Sequence, residues 1–139
     1  MSEIDINAAL VQGLVASSLG LPIGHEGRDF DPPAPDAPWC SWFNLPASTD
    51  PISIGVGGND ETTGIFQVDL NYPLNKGTAD ILAAVQALRD YFVSGRRLEY
   101  NGQCLHIRRV VRNNLRPVDG WQQINVSIYY DATTTRPEV

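Results

Sequence analysis

The chain has 139 residues, 42% of them hydrophobic and 19% charged, with a formal net charge of −6. That length fits one domain, residues 1–139, around one core, and that balance excludes an intrinsically disordered chain. A sequence pI near 4.7 argues against a nucleic-acid-binding domain, which is basic overall.

The distribution of charge says more than its total. Residues 1–75 hold ten acids and one base, Arg28, whereas residues 96–116 hold six arginines and one acid, Glu99. Blocks of opposite sign make complementary surfaces that favour association, or they are simply solvated and interspersed in the fold. The two cysteines, Cys40 and Cys104, are too few for a disulfide scaffold. Both lie in apolar runs that suit buried thiols, and whether they pair is left open. The acidic start MSEIDINAAL lacks the positive region of a secretory signal, and no run approaches the roughly 20 apolar residues of a membrane span. The expected place of synthesis is the cytoplasm.

Residues 2–19 read as a helix, with Ser2 as cap, Asp5 at the capping-box position, and Ile4, Ala8, Val11 and Val15 at helical spacing beside Leu14. Gly20 and Pro22 stop it. Residues 20–38 form a loop whose prolines, Pro32, Pro33, Pro35 and Pro38, fix φ and remove amide donors. Such a segment is a preformed strap with little entropy left to lose. A strand from Trp39 to Leu45 is ended by Pro46, and residues 46–63 form a long irregular loop or flexible hairpin around Gly55, Gly57 and Gly58.

Ile65 to Tyr72 is the cleanest strand. Phe66, Val68, Leu70 and Tyr72 alternate with Gln67, Asp69 and Asn71, so one face is buried and the other is wet or meets a polar partner. Residues 78–94 are a helix capped by Thr78, with Asp80 in its first turn, Ile81, Val85, Leu88 and Phe92 on one face, and Gly95 as the C′ residue. Arg97–Tyr100 and Gln103–Arg112 flank an Asn101-Gly102 hairpin turn. Residues 113–120 are a loop, Trp121–Tyr130 a last strand, and 131–139 an exposed tail. The order predicts an α+β fold: a mostly antiparallel sheet of about four to five strands with two helices packed on one face.

Catalytic patterns are missing. His25, Glu26, Asp29 and Asp31 are the densest titratable group, but a solvated, rigid connection explains them. Cys104 and His106 share a strand face, yet no C-x-x-C or H-x₃-H spacing completes a metal site. The run GVGGND has Asp60 where a dinucleotide fingerprint needs its third glycine, and NKGTAD is not a phosphate loop. No G-x-S-x-G or H-E-x-x-H occurs. Neither enzyme activity nor any cofactor or metal is expected. Arg108 and Arg112 are expected on one strand face and Arg109 on the other, so the arginines do not form a single phosphate-binding stripe.

The succession FDPPAPDAPW, FNLPAS, SIGVGGND, GIFQVDLNYPLNKGTADI, RLEYNGQCLHI and GWQQINVSIYY resembles the small tail-terminator-like proteins of tailed bacteriophages, from about Phe30 to Tyr130. The most specific pieces are G-I-F-Q-V-D with Tyr72-Pro73 and Gly77, and Phe30-x-Pro32-Pro33 with Trp39. The resemblance implies a virion subunit at the head-proximal end of the tail, assembled in the host cytoplasm. It would form a hexameric ring that caps the tail tube, stops its polymerisation and offers an interface to a head-completion or connector protein. DNA would pass through without specific binding, and no membrane is involved. Residues expected at the subunit or tube interface are Asp29, Asp31, Gly57, Gly58, Asn59, Asp60, Glu61, Arg96, Arg97, Arg108, Arg109 and Arg112. Phe30, Pro32, Pro33, Trp39, Phe66 and Phe92 are expected structural anchors. The alternative is a neighbouring head-closure or minor tail protein, or a non-enzymatic accessory domain.

Overall fold

Alternation along GIFQVDLNYP drives the centre of the fold, because every second side chain is apolar and must find cover. In the computed structural model, which describes residues 3–17, 19–27, 37–51, 59–75 and 77–135, Phe66, Val68 and Leu70 are fully buried. The elements in chain order are α1 (Glu3–Ala16), β1 (Ile23–Gly24), β2 (Trp39–Pro51), β3 (Asn59–Pro73), α2 (Ala79–Tyr91), β4 (Arg97–Tyr100), β5 (Gln103–Arg112), β6 (Arg116–Val118) and β7 (Trp121–Thr135). The strands form one sheet in the order β1-β2-β3-β7-β5-β4, with β6 also on β7. All pairings are antiparallel except β1 with β2.

The α+β class is as the sequence predicts, but seven strands among the described residues replace the expected four to five. The difference lies at strand ends. β2 does not stop at Pro46; it continues to Pro51 after a register shift between Pro46 and Ser48. Among the described residues, β2 beyond Ser41 has β3 on one side only, and an edge strand tolerates the missing proline N–H. Residues 46–51 and 59–63 of the expected loop are thereby strand, and residues 52–58 lie outside the described residues. β7 likewise runs past Tyr130 to Thr135, where a free tail was expected. All fifteen residues of β3 pair with β7, a ladder about 50 Å long. The expected 113–120 loop contains β6 and a tight turn in which Asp119 and Gly120 both have positive φ, 48° and 85°. Asn101-Gly102 makes the same kind of turn, with φ of 52° and 81°.

Both helices contribute to one core on the same face of the sheet. In α2, Ile81, Val85, Leu88 and the adjoining Phe92 are buried as the spacing predicts, and Ala84 is buried beside them. Thr78 occupies the cap position without a side-chain cap bond, and Phe92 caps the other end. Gly95 is not the C′ residue; its φ of +91° makes the following turn, and its N–H donates to Ile107 O at 2.7 Å. In α1 the buried stripe is Ile6, Ala9, Leu10 and Leu14, whereas Ile4 and Val15 of the expected stripe are exposed. The reason sits at Gly13, where a Cβ would meet the Phe92 ring at 3.0 Å. The helix is apolar nearly all round, and only its glycine side lets α2 approach. Ser2, the expected cap, lies outside the described residues.

A second close approach fixes the sheet. Gly64 pairs with Tyr130, and a Cβ on Gly64 would lie 2.6 Å from the Tyr130 hydroxyl oxygen. The ring therefore lies over Gly64 and donates its hydroxyl to Asn44 Oδ1 on β2 at 2.7 Å. Asn44 in turn donates its amide to Asn7 Oδ1 of α1. A buried hydroxyl needs such a partner, and this chain of bonds ties helix to sheet.

Candidate assembly surface

The face of the sheet away from the helices carries Asp69, Arg108, Arg109 and Asp131. Residue pairing builds it in rows. One row runs Leu45, Ile65, Tyr129, Arg109 across β2, β3, β7 and β5; the next runs Phe43, Gln67, Ser127, Val111. Phe43, Leu45 and Val111 are exposed, and the middle of each row is half-buried.

Beside these rows lies a polar cluster tighter than a wet face requires. Asn71, Asn125 and Asp69 are only 2%, 8% and 9% exposed. Gln67 Nε2 donates to Asp69 Oδ1 at 2.9 Å, and Asn125 Nδ2 donates to the same oxygen. Asn125 Oδ1 accepts from Asn113 Nδ2 at 2.6 Å and Arg116 Nη2 at 2.9 Å. Gln123 Nε2 donates to Asn71 Oδ1 at 2.9 Å. The cluster staples β3, β7 and the start of β6, and satisfies groups whose burial would otherwise cost free energy.

A β-bulge decides where the arginines stand. The register of β5 on β7 shifts between Ile107 and Arg109, leaving Arg108 as the extra residue. Arg108 and Arg109 consequently share the outer face, where alternation alone places them on opposite faces. Arg108 Nη1 meets Asp131 Oδ2 at 2.9 Å, and His106 Nδ1 lies 3.6 Å from Asp131 Oδ1. The Arg109 guanidinium sits 4.2 Å above the Tyr129 ring. Arg112, expected with Arg108, is paired with Val126 on the other parity and donates to Asn113 O at 3.2 Å. The doubled polar pair Arg108-Arg109, set between Ile107 and Val110-Val111, is the sequence signal for the bulge.

Arg96 and Arg97 flank edge strand β4. Arg96 stacks 4.4 Å from the Tyr91 ring on the helix side, and Arg97 bonds Glu99 Oε2 at 3.2 Å and Cys104 Sγ at 2.8 Å. On the acidic side, Asn59, Asp60 and Glu61 lie in the β3 extension against Thr135, Thr134 and Thr133. Asp131, from outside both charge blocks, is the acid that meets Arg108. Of the expected anchors, Phe66 and Phe92 are buried, with ring centroids 6.3 Å apart. Trp39 stands edge-on to Trp121 at 6.1 Å. Asp29, Phe30, Asp31, Pro32, Pro33, Gly57 and Gly58 lie outside the described residues.

The groups with chemical potential are occupied otherwise. His25 Nδ1 accepts from Trp42 Nε1 at 3.0 Å and Glu26 Oε1 accepts from the Asn44 N–H at 3.2 Å, so both fasten the segment after β1 to β2. Cys104 donates to Glu99 at 3.1 Å, whereas His106 faces Asp131; the two are not a nucleophile and its base. Burial pushes the Cys40 thiol up to about 12. Among the described residues, no group of three or more His, Cys, Asp or Glu side chains could hold a metal ion, and no helix is long and apolar enough to cross a membrane.

Comparison with known proteins adds the following. A family model described as phage tail terminator protein matches residues 5–130. One solved chain is similar with a TM-score of 0.76 and 24% identity, covering 99% of both chains; at that identity the likeness shows the fold alone. No protein with a curated description matches.

Proposed function

The chain belongs to the phage tail terminator family, and from that premise we propose that it closes the head-proximal end of the tail tube as a ring of six subunits. The ring ends tube growth and offers the surface to which the head-completion protein docks. The outer face of the sheet carries this reading. Among the described residues it is bare of helices, half-buried at its centre, and set with Phe43, Leu45, Tyr129, Val111 and the Arg108–Arg109 pair. A face that mixes aromatic, aliphatic and arginine side chains has the composition of protein interfaces. A closed ring needs two different patches per subunit, and the segregation of acids in residues 1–75 from arginines in 96–116 supplies them. The net charge of −6 suits a channel through which DNA slides without being gripped.

The test is assembly. Light scattering and negative-stain images of the wild-type chain, alone and with tail tubes, are expected to show six-membered rings at tube ends. Replacing Arg109 by Glu is expected to weaken the ring at least about tenfold, the loss of one interface arginine. Tubes that keep growing in the presence of folded wild-type protein would overturn the capping role.

A further inference from the structure

We propose that His25 is an acid-sensitive latch: its neutral ring holds residues 22–26 along the edge of β2, and protonation at Nδ1 lets that edge go. The latch is independent of how the subunit assembles. It turns on one bond whose direction is fixed by chemistry. An indole N–H can only donate. Trp42 Nε1 lies 3.0 Å from His25 Nδ1, so Nδ1 accepts and the ring proton of the neutral imidazole stands on Nε2. The two rings meet edge to face, 86° apart, with centroids separated by 5.9 Å. With a proton on Nδ1, two N–H groups would face each other. No rotation of the ring restores the bond, because a charged imidazole has donors and no acceptor.

The segment held in this way extends a strand too short to hold itself. β1 has only Ile23 and Gly24, paired with Cys40 and Ser41. Other groups make the rungs on either side. Before β1, Pro22 O accepts from the Cys40 N–H at 3.0 Å; after it, Glu26 Oε1 accepts from the Asn44 N–H at 3.2 Å. Glu26 supplies its side chain where a strand would use its carbonyl. Between these rungs the His25 bond ties the segment to the core, since Trp42 is buried and packs on Phe66 with centroids 5.6 Å apart. His25 itself is half-buried, so water can deliver the proton. The titratable groups around it are few. On its own segment Glu26 is turned to Asn44. On β2, Cys40 is buried, and burial keeps its thiol protonated. α1 reaches this part of β2 through Asn7 on Asn44, and its acid Asp5 is buried. Among the described residues no ion pair includes His25. A charge formed on the ring therefore finds no fixed partner to replace the lost bond.

The test is an NMR titration of the wild-type chain from about pH 8 to about pH 5, the range in which imidazoles change charge. The indole N–H peak of Trp42 is identified by its absence in Trp42→Phe. It is expected to shift with the same midpoint as the His25 ring carbons, while the indole peaks of Trp39 and Trp121 stay in place. Hydrogen exchange at the Asn44 amide, corrected for its intrinsic dependence on pH, is expected to quicken about fivefold or more over the same range, the loss of about one hydrogen bond. His25→Gln keeps an acceptor that does not titrate, and is expected to leave both signals flat. A Trp42 peak that stays in place while His25 titrates, or a His25 ring that does not titrate in this range, would overturn the latch on the wild-type chain alone. A His25→Gln chain that responds to acid as the wild type does would assign the response to another group and overturn it as well.

Discussion

The two faces of the sheet are built by different rules. On the helix side, Trp42, Phe66, Val68, Leu70, Ile107, Ile124, Val126 and Ile128 are closed over by α1 and α2, and apolar burial supplies the stability. On the outer side, the same strands present Gln67, Asp69, Asn71, Gln123, Asn125 and Ser127. There the sheet is held by hydrogen bonds among side chains, and apolar groups are left half-exposed. Neither helix covers this second face, and Phe43, Leu45 and Val111 on it are exposed. Apolar burial is concentrated on one face and exposed apolar side chains on the other, so substitutions should differ in cost between the two.

The largest effect is expected at the closest contact of the covered face. Gly64→Val drives a side chain into Tyr130, which is 1% exposed and held by Asn44. A loss of about 3 kcal/mol or more in denaturant unfolding is expected. Val111→Ser, on the bare face, is expected to change stability by less than about 0.5 kcal/mol. Equal costs at the two positions would erase the contrast between the faces.

The polar cluster sharpens the contrast, because it is buried on the face that is otherwise bare. Asp69→Ala leaves the amides of Gln67 and Asn125 without their shared acceptor. The expected cost is about 1–3 kcal/mol, the usual penalty for buried groups left unsatisfied. Ser127→Ala, two residues along β7 on the same face, should cost little by the same measurement. A neutral Asp69→Ala would mean that the cluster is solvated rather than structural.

The Cys40 thiol gives a pH dependence only in alkali, and near neutral pH it vanishes. Burial raises the Cys40 thiol from 9.0 to about 12 in the folded chain. Between those values the unfolded chain has lost the proton and the folded chain has not, so stability falls as pH rises. The slope from this group approaches about 1.4 kcal/mol per pH unit in that window. Urea midpoints of wild type and Cys40→Ala, compared across the window, isolate it. A wild type no more alkali-sensitive than the variant would place Cys40 in contact with water.

Much of the architecture is legible from local pattern. The period of α2, the alternation of β3 and the Asn101-Gly102 turn each follow from spacing and backbone chemistry within one segment. Strand length is less legible. Proline at position 46 looks like a stop until β2 is known to be an edge, and residues 131–135 look like a tail until β3 lies beside them. The arginine arrangement on the outer face hinges on one inserted residue, which reversed the parity of everything after Ile107. The α1 stripe was ambiguous because two apolar faces compete, and the ring of Phe92 over Gly13 selected between them.

Sequence alone determined the α+β class, the polarity of β3's two faces and the segregation of charge along the chain. These depend on residue type and short-range period, which the chain carries with it. Tertiary structure decided which face of α1 is buried, how far β2 and β7 extend, and that Arg108 and Arg109 stand together beside Asp131 and Tyr129. Those outcomes depend on which strands become neighbours and which backbones touch, and pairings between residues as distant as Asn44 and Tyr130 leave no local mark.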